Sequence, residues 1–180
     1  MGAGKSTLGR ALGEAASQGR LASVPHGSVY VDLDDYIEAS EGMSVAEIFA
    51  AVGEDGFRRR EAQALRQVAA RDNVIVGCGG GTPCHCGNMD WMLARGTTVL
   101  LEASVPVLLR RLLEAQQQRP LLRGLTPAQL SAFIDKTLAG RAPWYTRAAC
   151  RFGSDFLESE AEIRDSVTRF DAMLSTIKDL

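Results

Sequence analysis

Gly2-Ala3-Gly4-Lys5-Ser6-Thr7 opens this chain, and no other run of residues narrows its possible folds as much. A glycine-rich turn leading into a helix presents backbone N–H groups to phosphate oxygens. A lysine at its end reaches the outer phosphates, and the following hydroxyl can join a Mg²⁺ shell. The full pattern G-x-x-x-x-G-K-[ST] would place its first glycine five positions before Gly4, upstream of Met1. The apolar strand that feeds such a loop would also lie upstream. The sequence therefore predicts a natural chain that extends before Met1 through that strand. It also predicts a sheet whose central strand, if absent, leaves two neighbours without a ladder partner.

With 180 residues, 46% of them apolar, the chain fits one globular domain, 1–180. Lys and Arg total 20 against 22 Asp and Glu, a net charge of −2. That balance gives no bulk attraction to nucleic acid or an anionic membrane, so an anion site must be built locally. The apolar runs are too short for a membrane span, and no segment resembles a signal peptide, so a cytoplasmic location is expected. Cys78, Cys84, Cys86 and Cys150 are too sparse for a disulfide scaffold, and their spacing does not fit the common zinc pairs. The opening residues also match an N-myristoylation pattern, but the phosphate loop accounts for the same positions.

Leu8, Ala11, Leu12 and Ala15 recur at helical spacing after the loop, and Gly19 to Gly27 reads as a connection. Val29-Tyr30-Val31 and Val74-Ile75-Val76 read as buried strands. The first delivers Asp32 and Asp34 to a sheet's C-terminal edge, where open α/β sheets place ligands; the second runs into Gly77-Cys78-Gly79-Gly80-Gly81. Ser44-x-x-Glu47 is a capping box for a short helix that Gly53 closes, and Phe57, Glu61, Ala64, Leu65 and Val68 suit a longer one. Thr97 to Leu101 reads as a third strand and Val105 to Leu113 as a helix face. Thr126-Pro127-x-Gln129 caps another helix, Ala148 to Phe152 is a last strand, and Ser159-x-x-Glu162 caps a final helix. The polar segment 116–125 between two helices reads as a lid. This alternation predicts a three-layer α/β/α fold on a parallel sheet.

Phosphoryl transfer needs in-line positioning, charge neutralisation and exclusion of water. Lys5 and the loop amides are candidates to hold donor phosphates, with Ser6 and Asp32 flanking a Mg²⁺. Asp34, read as two residues further along an extended chain, would point the same way as Asp32 and could draw a proton from an acceptor hydroxyl. Arg58, Arg119 and Arg141 could fork onto an anionic acceptor or transferring charge. Each alternatively stands as a solvated surface residue. Asp32 and Asp34 could be turn formers or a helix N-cap, and Gly79 to Gly81 a tight strand exit.

Taken in order, these motifs strongly resemble the shikimate kinase family. The resemblance rests on Gly2-Ala3-Gly4-Lys5-Ser6-Thr7, Asp32-Leu33-Asp34 with Ile37-Glu38, and Ile48-Phe49 with Gly53-Glu54 before Phe57-Arg58 and Glu61. It continues through Gly79-Gly80-Gly81, Arg119-Pro120-Leu121-Leu122 and Arg141-Ala142-Pro143 with Tyr145. The resemblance implies ATP-dependent phosphorylation of the 3-hydroxyl of shikimate, on the way to chorismate and the aromatic amino acids. It also implies a P-loop sheet of the nucleoside monophosphate kinase type, its first, central strand placed before Met1, acting as a monomer. By the same resemblance Gly2, Ala3, Gly4, Lys5, Ser6 and Thr7 bind ATP, Ser6 and Asp32 serve Mg²⁺, Arg119 is a lid arginine on ATP, and Arg111 flanks adenine. Asp34, Arg58, Gly79, Gly80, Gly81 and Arg141 bind the acceptor, the stretch 34–61 forming an acceptor-binding region; Lys5, Asp34 and Arg119 carry the chemistry. Two departures stand out. The connection from Lys5 to Asp32 is longer than the family's by roughly ten residues, a length a surface loop absorbs at small entropic cost, and Gly153 to Glu158 offers no arginine to adenine. The nearest alternative enzyme is a kinase of the same fold acting on gluconate or a similar polyol acid, and the alternative from another class is a nucleotide-binding remnant without turnover.

Overall fold

A computed structural model describes residues 2–116, 122 and 124–178. Arg119 and most of the 116–125 segment lie outside the described residues. The elements run α1 (Lys5–Ser17), β1 (Val29–Asp32), α2 (Leu33–Glu41), α3 (Val45–Val68), β2 (Val74–Gly77), α4 (Asn88–Leu93), β3 (Val99–Glu102), α5 (Val105–Glu114), α6 (Pro127–Tyr145), β4 (Cys150–Gly153) and α7 (Glu160–Lys178), with a 3-10 turn at Thr82–Cys84 before α4.

The capping signals do what their chemistry requires. The Ser44 hydroxyl accepts from the Glu47 N–H and the Glu47 carboxylate accepts from the Ser44 N–H, closing the box that starts α3. Thr126 and Gln129 form the same box at α6, and Ser159 and Glu162 the same pair at α7. Gly53, at φ 67° and ψ −177°, is not helical, so α3 is two helices meeting at a kink, the short and long helices expected on either side of it. The 3-10 turn and α4 have no counterpart in the sequence reading. Both are too short for an apolar period to stand out.

Among the described residues the strands form two separate parallel ladders. β1 pairs with β2, Asp32 opposite Gly77, and β3 pairs with β4, Glu102 opposite Gly153. Among the described residues each strand thus has one unpaired side. One expectation is corrected. The runs Val29–Val31 and Val74–Val76 are not fully buried; Val29 is 62% exposed and the others are half-buried. A two-stranded ladder covers each strand along one edge only, so its β-branched side chains lack the neighbours that a continuous sheet supplies.

Three apolar clusters tie the layers together. Leu8, Leu12 and Ala15 of α1 meet Phe152, Leu157, Val167 and Phe170, with Ile75 of β2 and Val99 and Leu101 of β3 packed against them, so one core joins both ladders under α1 and α7. On the opposite face of the first ladder, Val74 and Val76 pack with Leu33, Ile37, Ile48, Phe57, Leu65 and Val68. The third cluster joins α5 and α6 through Leu108, Leu112, Leu130 and Ile134 and includes Ala3 of the opening loop. Leu122 is buried there too, and Gln116 donates to the carbonyls of Leu122 at 2.6 Å and Leu125 at 2.8 Å, clasping the two ends of the 116–125 segment.

Candidate active site

The opening loop turns through Gly2 at φ 68° and Gly4 at φ 80°, backbone that side chains rarely adopt. Gly4 is the N-cap of α1, where no side chain caps the helix and no acidic residue occupies the first turn. The N–H groups there and the positive end of the helix dipole are thus left to an anion. A side chain at Gly4 would also strike Leu157, whose Cδ1 would lie 2.5 Å from the added carbon.

Asp32 is the hub of the hydrogen bonds beside the opening loop. The Ser6 hydroxyl donates to its Oδ2 at 2.7 Å and the Tyr30 hydroxyl to the same oxygen at 3.0 Å. Its Oδ1 accepts the Asp34 N–H at 3.1 Å. That last bond corrects the sequence picture of an extended Asp32-Leu33-Asp34. β1 ends at Asp32, which becomes the N-cap of α2, and Asp34 lies in the first helical turn. An aspartate facing the free N–H groups of a helix start favours that exit over continued strand. Asp34 nonetheless turns toward the same place. Burial, then the carboxylates of Asp32 and Glu61, raise its affinity for a proton above the usual aspartate range, with Lys5 opposing them.

A second, charged cluster forms around the glycines after β2. A methyl on Gly79 would stand 3.2 Å from Glu61 Oε1 and 3.5 Å from Asp34 Oδ1. On Gly80 it would stand 2.5 Å from Arg141 Nη1, and on Gly81 2.7 Å from Arg58 Nη2. Three consecutive glycines therefore each admit a different charged group, which settles their reading in favour of close approach over a plain strand exit. Arg58 is held by Glu61 at 2.9 Å and by Glu54 at 3.3 Å, and its guanidinium lies over the rings of Phe49 and Phe57. Its Nε is buried without a hydrogen-bond partner. Glu61, 1% exposed, also accepts from the Thr82 hydroxyl at 2.6 Å. Arg141 lies late in α6, where Tyr145, one turn on, donates to the Gly80 carbonyl at 2.7 Å. The structure thus brings Asp34, Arg58 and Arg141 together at one strand exit.

Arg111 sits at 3.0 Å from the Ser154 carbonyl, 2.9 Å from that of Asp155 and 3.4 Å from that of Gly2, so its guanidinium ties the opening loop to the segment after β4. Sequence reading missed Tyr30, Thr82 and Leu157 as parts of the site. Glycines at helical spacing in α1 were the one legible sign of Tyr30. Among the described residues no group of three or more His, Cys, Asp or Glu side chains is placed to hold a metal, and no helix is long and apolar enough to cross a membrane.

The comparisons with known proteins agree on a single family. The shikimate kinase family model matches residues 1–171. Shikimate kinase from Bacteroides thetaiotaomicron is 43% identical over 174 residues, covering 97% of this chain and 94% of that protein. The Thermus thermophilus shikimate kinase is 34% identical over 169 residues, covering 94% of this chain and 85% of that protein. The crystal structure of the Bacteroides thetaiotaomicron enzyme superposes with a TM-score of 0.86 at 42% identity, covering 97% of this chain and 94% of that one. The solved structure of Acinetobacter baumannii shikimate kinase in complex with shikimate does so with a TM-score of 0.78 at 29% identity, covering 98% of this chain and 89% of that one. With a phosphate loop, paired aspartates and an arginine-lined glycine exit along its length, the chain belongs to the shikimate kinase family.

Proposed function

We propose that this site carries out the family's reaction, the phosphorylation of shikimate by ATP, with its residues in the following roles. The loop from Gly2 to Thr7 holds the donor phosphates, Lys5 neutralising the outer ones. Arg58 and Arg141 fork onto the acceptor's carboxylate, and Asp34 takes the proton of its 3-hydroxyl. As that oxygen bonds to the γ-phosphorus, the bond from phosphorus to the β–γ bridging oxygen breaks, its electron pair leaves with ADP, and the proton passes from Asp34 to water. The raised proton affinity of Asp34 suits this role, since a carboxylate that holds its proton more tightly is a better acceptor for it. Arg119 meets the transferring charge from the lid, and Arg111 supports the adenine side.

The donor set also fits Mg²⁺. A hydroxyl and a carboxylate oxygen stand 2.7 Å apart beside an uncapped helix N-terminus, a hard, sparse oxygen set of the kind this ion uses together with substrate phosphates. When bound there, the ion supplies neutralisation of charge on the phosphates. Ser6 would hold it directly and Asp32 through water.

The observation that carries the reading is the convergence of Asp34, Arg58 and Arg141 on Gly79 to Gly81, close enough to Lys5 for the lysine to act on the Asp34 carboxyl. Coupled measurement of ADP release with shikimate, gluconate and other polyol acids tests it. Release that depends on shikimate is expected. Turnover on gluconate alone would move the chain to the polyol-acid kinases, and ATP binding without release at saturating shikimate would make it a non-catalytic binder. The reading includes a cytoplasmic monomer, which a sedimentation mass near twice 19.4 kDa would contradict.

A further inference from the structure

Tyr30 occupies a cradle built for it. Gly9 and Gly13 are four residues apart on one face of α1, and Gly77 ends the strand paired with β1. A methyl at Gly9 would lie 2.1 Å from Tyr30 Cε2, one at Gly13 3.1 Å from its Cβ, and one at Gly77 2.2 Å from its hydroxyl. Two glycines inside a 13-residue helix weaken it, so their presence marks a ring that has to come this close. Phenylalanine would fill the same space. The hydroxyl is what distinguishes tyrosine, and it donates to Asp32 Oδ2, the oxygen that also accepts from Ser6.

We propose that Tyr30 is a positioning residue for the divalent cation that accompanies ATP, acting through Asp32. The three bonds on Asp32 divide its work. The Asp34 N–H fixes Oδ1 as the cap of α2, and the phenol fixes Oδ2 from a ring locked between helix and strand. The Ser6 hydroxyl oxygen is then the group left to turn toward the cation while the carboxylate keeps its place. A carboxylate held at both oxygens loses little freedom on joining a cation's outer shell, and such outer partners govern metal affinity. Tyr30 needs no contact with either substrate to do this.

The inference rests on the reading of Ser6 and Asp32 as the cation site, and the experiment separates the two. Binding of Mn²⁺ with ADP is measured from the free Mn²⁺ electron paramagnetic resonance signal for the parent, Tyr30→Phe and Asp32→Asn, beside metal-free ADP affinity and melting temperature. Tyr30→Phe should weaken Mn²⁺·ADP by about tenfold, the low end for loss of an outer-shell partner, with metal-free ADP affinity and melting temperature unchanged. Asp32→Asn should weaken Mn²⁺·ADP further. If Asp32→Asn binds Mn²⁺·ADP as the parent does, the cation site is elsewhere and the inference fails with it. If Asp32→Asn loses affinity while Tyr30→Phe keeps it, the cation reading stands and the phenol is packing alone. An equal loss with and without metal would also overturn the proposal, since the phenol would then be supporting the loop.

Discussion

The two halves of the site are built by different means. On the acceptor side, charged side chains are already held by one another: Arg58 between Glu61, Glu54 and two aromatic rings, Glu61 by Thr82, and Arg141 against Gly80. On the proposed donor side the binding groups are mainly backbone N–H at an uncapped helix start, beside a side-chain cluster of Tyr30, Asp32 and Ser6. The proposed acceptor side is a preorganised network; the proposed donor side is a turn and helix start whose N–H groups suit a phosphate. Variants on one side should therefore leave the other side's ligand largely untouched.

The largest effect should come from the residue at the boundary. Asp34→Asn keeps the shape and removes the proton acceptor, so turnover should fall by about 10²–10⁴-fold while ATP affinity stays within about twofold of the parent, because no donor phosphate depends on that carboxylate. Single-turnover kinetics with a separate nucleotide titration will show it. A parallel loss of ATP binding would erase the division between the halves.

Next comes the network beneath the acceptor. Glu61→Ala leaves Arg58 buried against two rings without its main counter-charge and strands the Thr82 hydroxyl. Loss of one partner of a buried pair costs about 3–5 kcal/mol, so urea unfolding should show destabilisation of that order. Arg141→Ala removes a charge without emptying the core and should weaken shikimate binding by about 1.5–3 kcal/mol with folding intact. Gly80→Ala should act in the same direction, since the added methyl displaces the flexible end of Arg141 and no backbone. An unchanged KM for shikimate in both variants would take Arg141 out of the acceptor site.

The two halves also differed in how far they could be read from the chain. The phosphate loop is a local pattern with a local mechanism, and the capping boxes at Ser44, Thr126 and Ser159 place three helix starts because each is satisfied within four residues. The role of Gly79 to Gly81 was only half visible. That a backbone or ligand would come close could be read; that Arg58 and Arg141 are what come close depends on α3 and α6 crossing the strand exit, a tertiary fact with no period in the sequence. For Asp32-Leu33-Asp34 the helix N-cap, held open beside the extended reading, is what forms at Asp32: aspartate can end a strand or cap a helix, and spacing alone does not separate the two. The half-exposure of Ile75 and Val76 follows from ladders of two strands, which apolar content does not announce.

The smallest effect is one of pH. Burial, together with the nearby carboxylates of Asp32 and Glu61, gives Asp34 a proton affinity in the folded chain above its unfolded value, with Lys5 offsetting part of it and Glu38 adding to it. Between the unfolded and folded pKa the native state binds the extra proton, so stability falls as pH rises through that window and the loss is complete above it. The neutral amide of Asp34→Asn escapes this loss. The variant should therefore melt higher than the parent at pH 7, and the gap should close as the pH is lowered through the folded pKa toward 3.8, the ordinary value for the group. Matching melting curves at both ends of that range would mean that the acceptor side carries no electrostatic strain of its own, and that its carboxylate is held ready for the proton by the arriving substrates instead of by the folded chain.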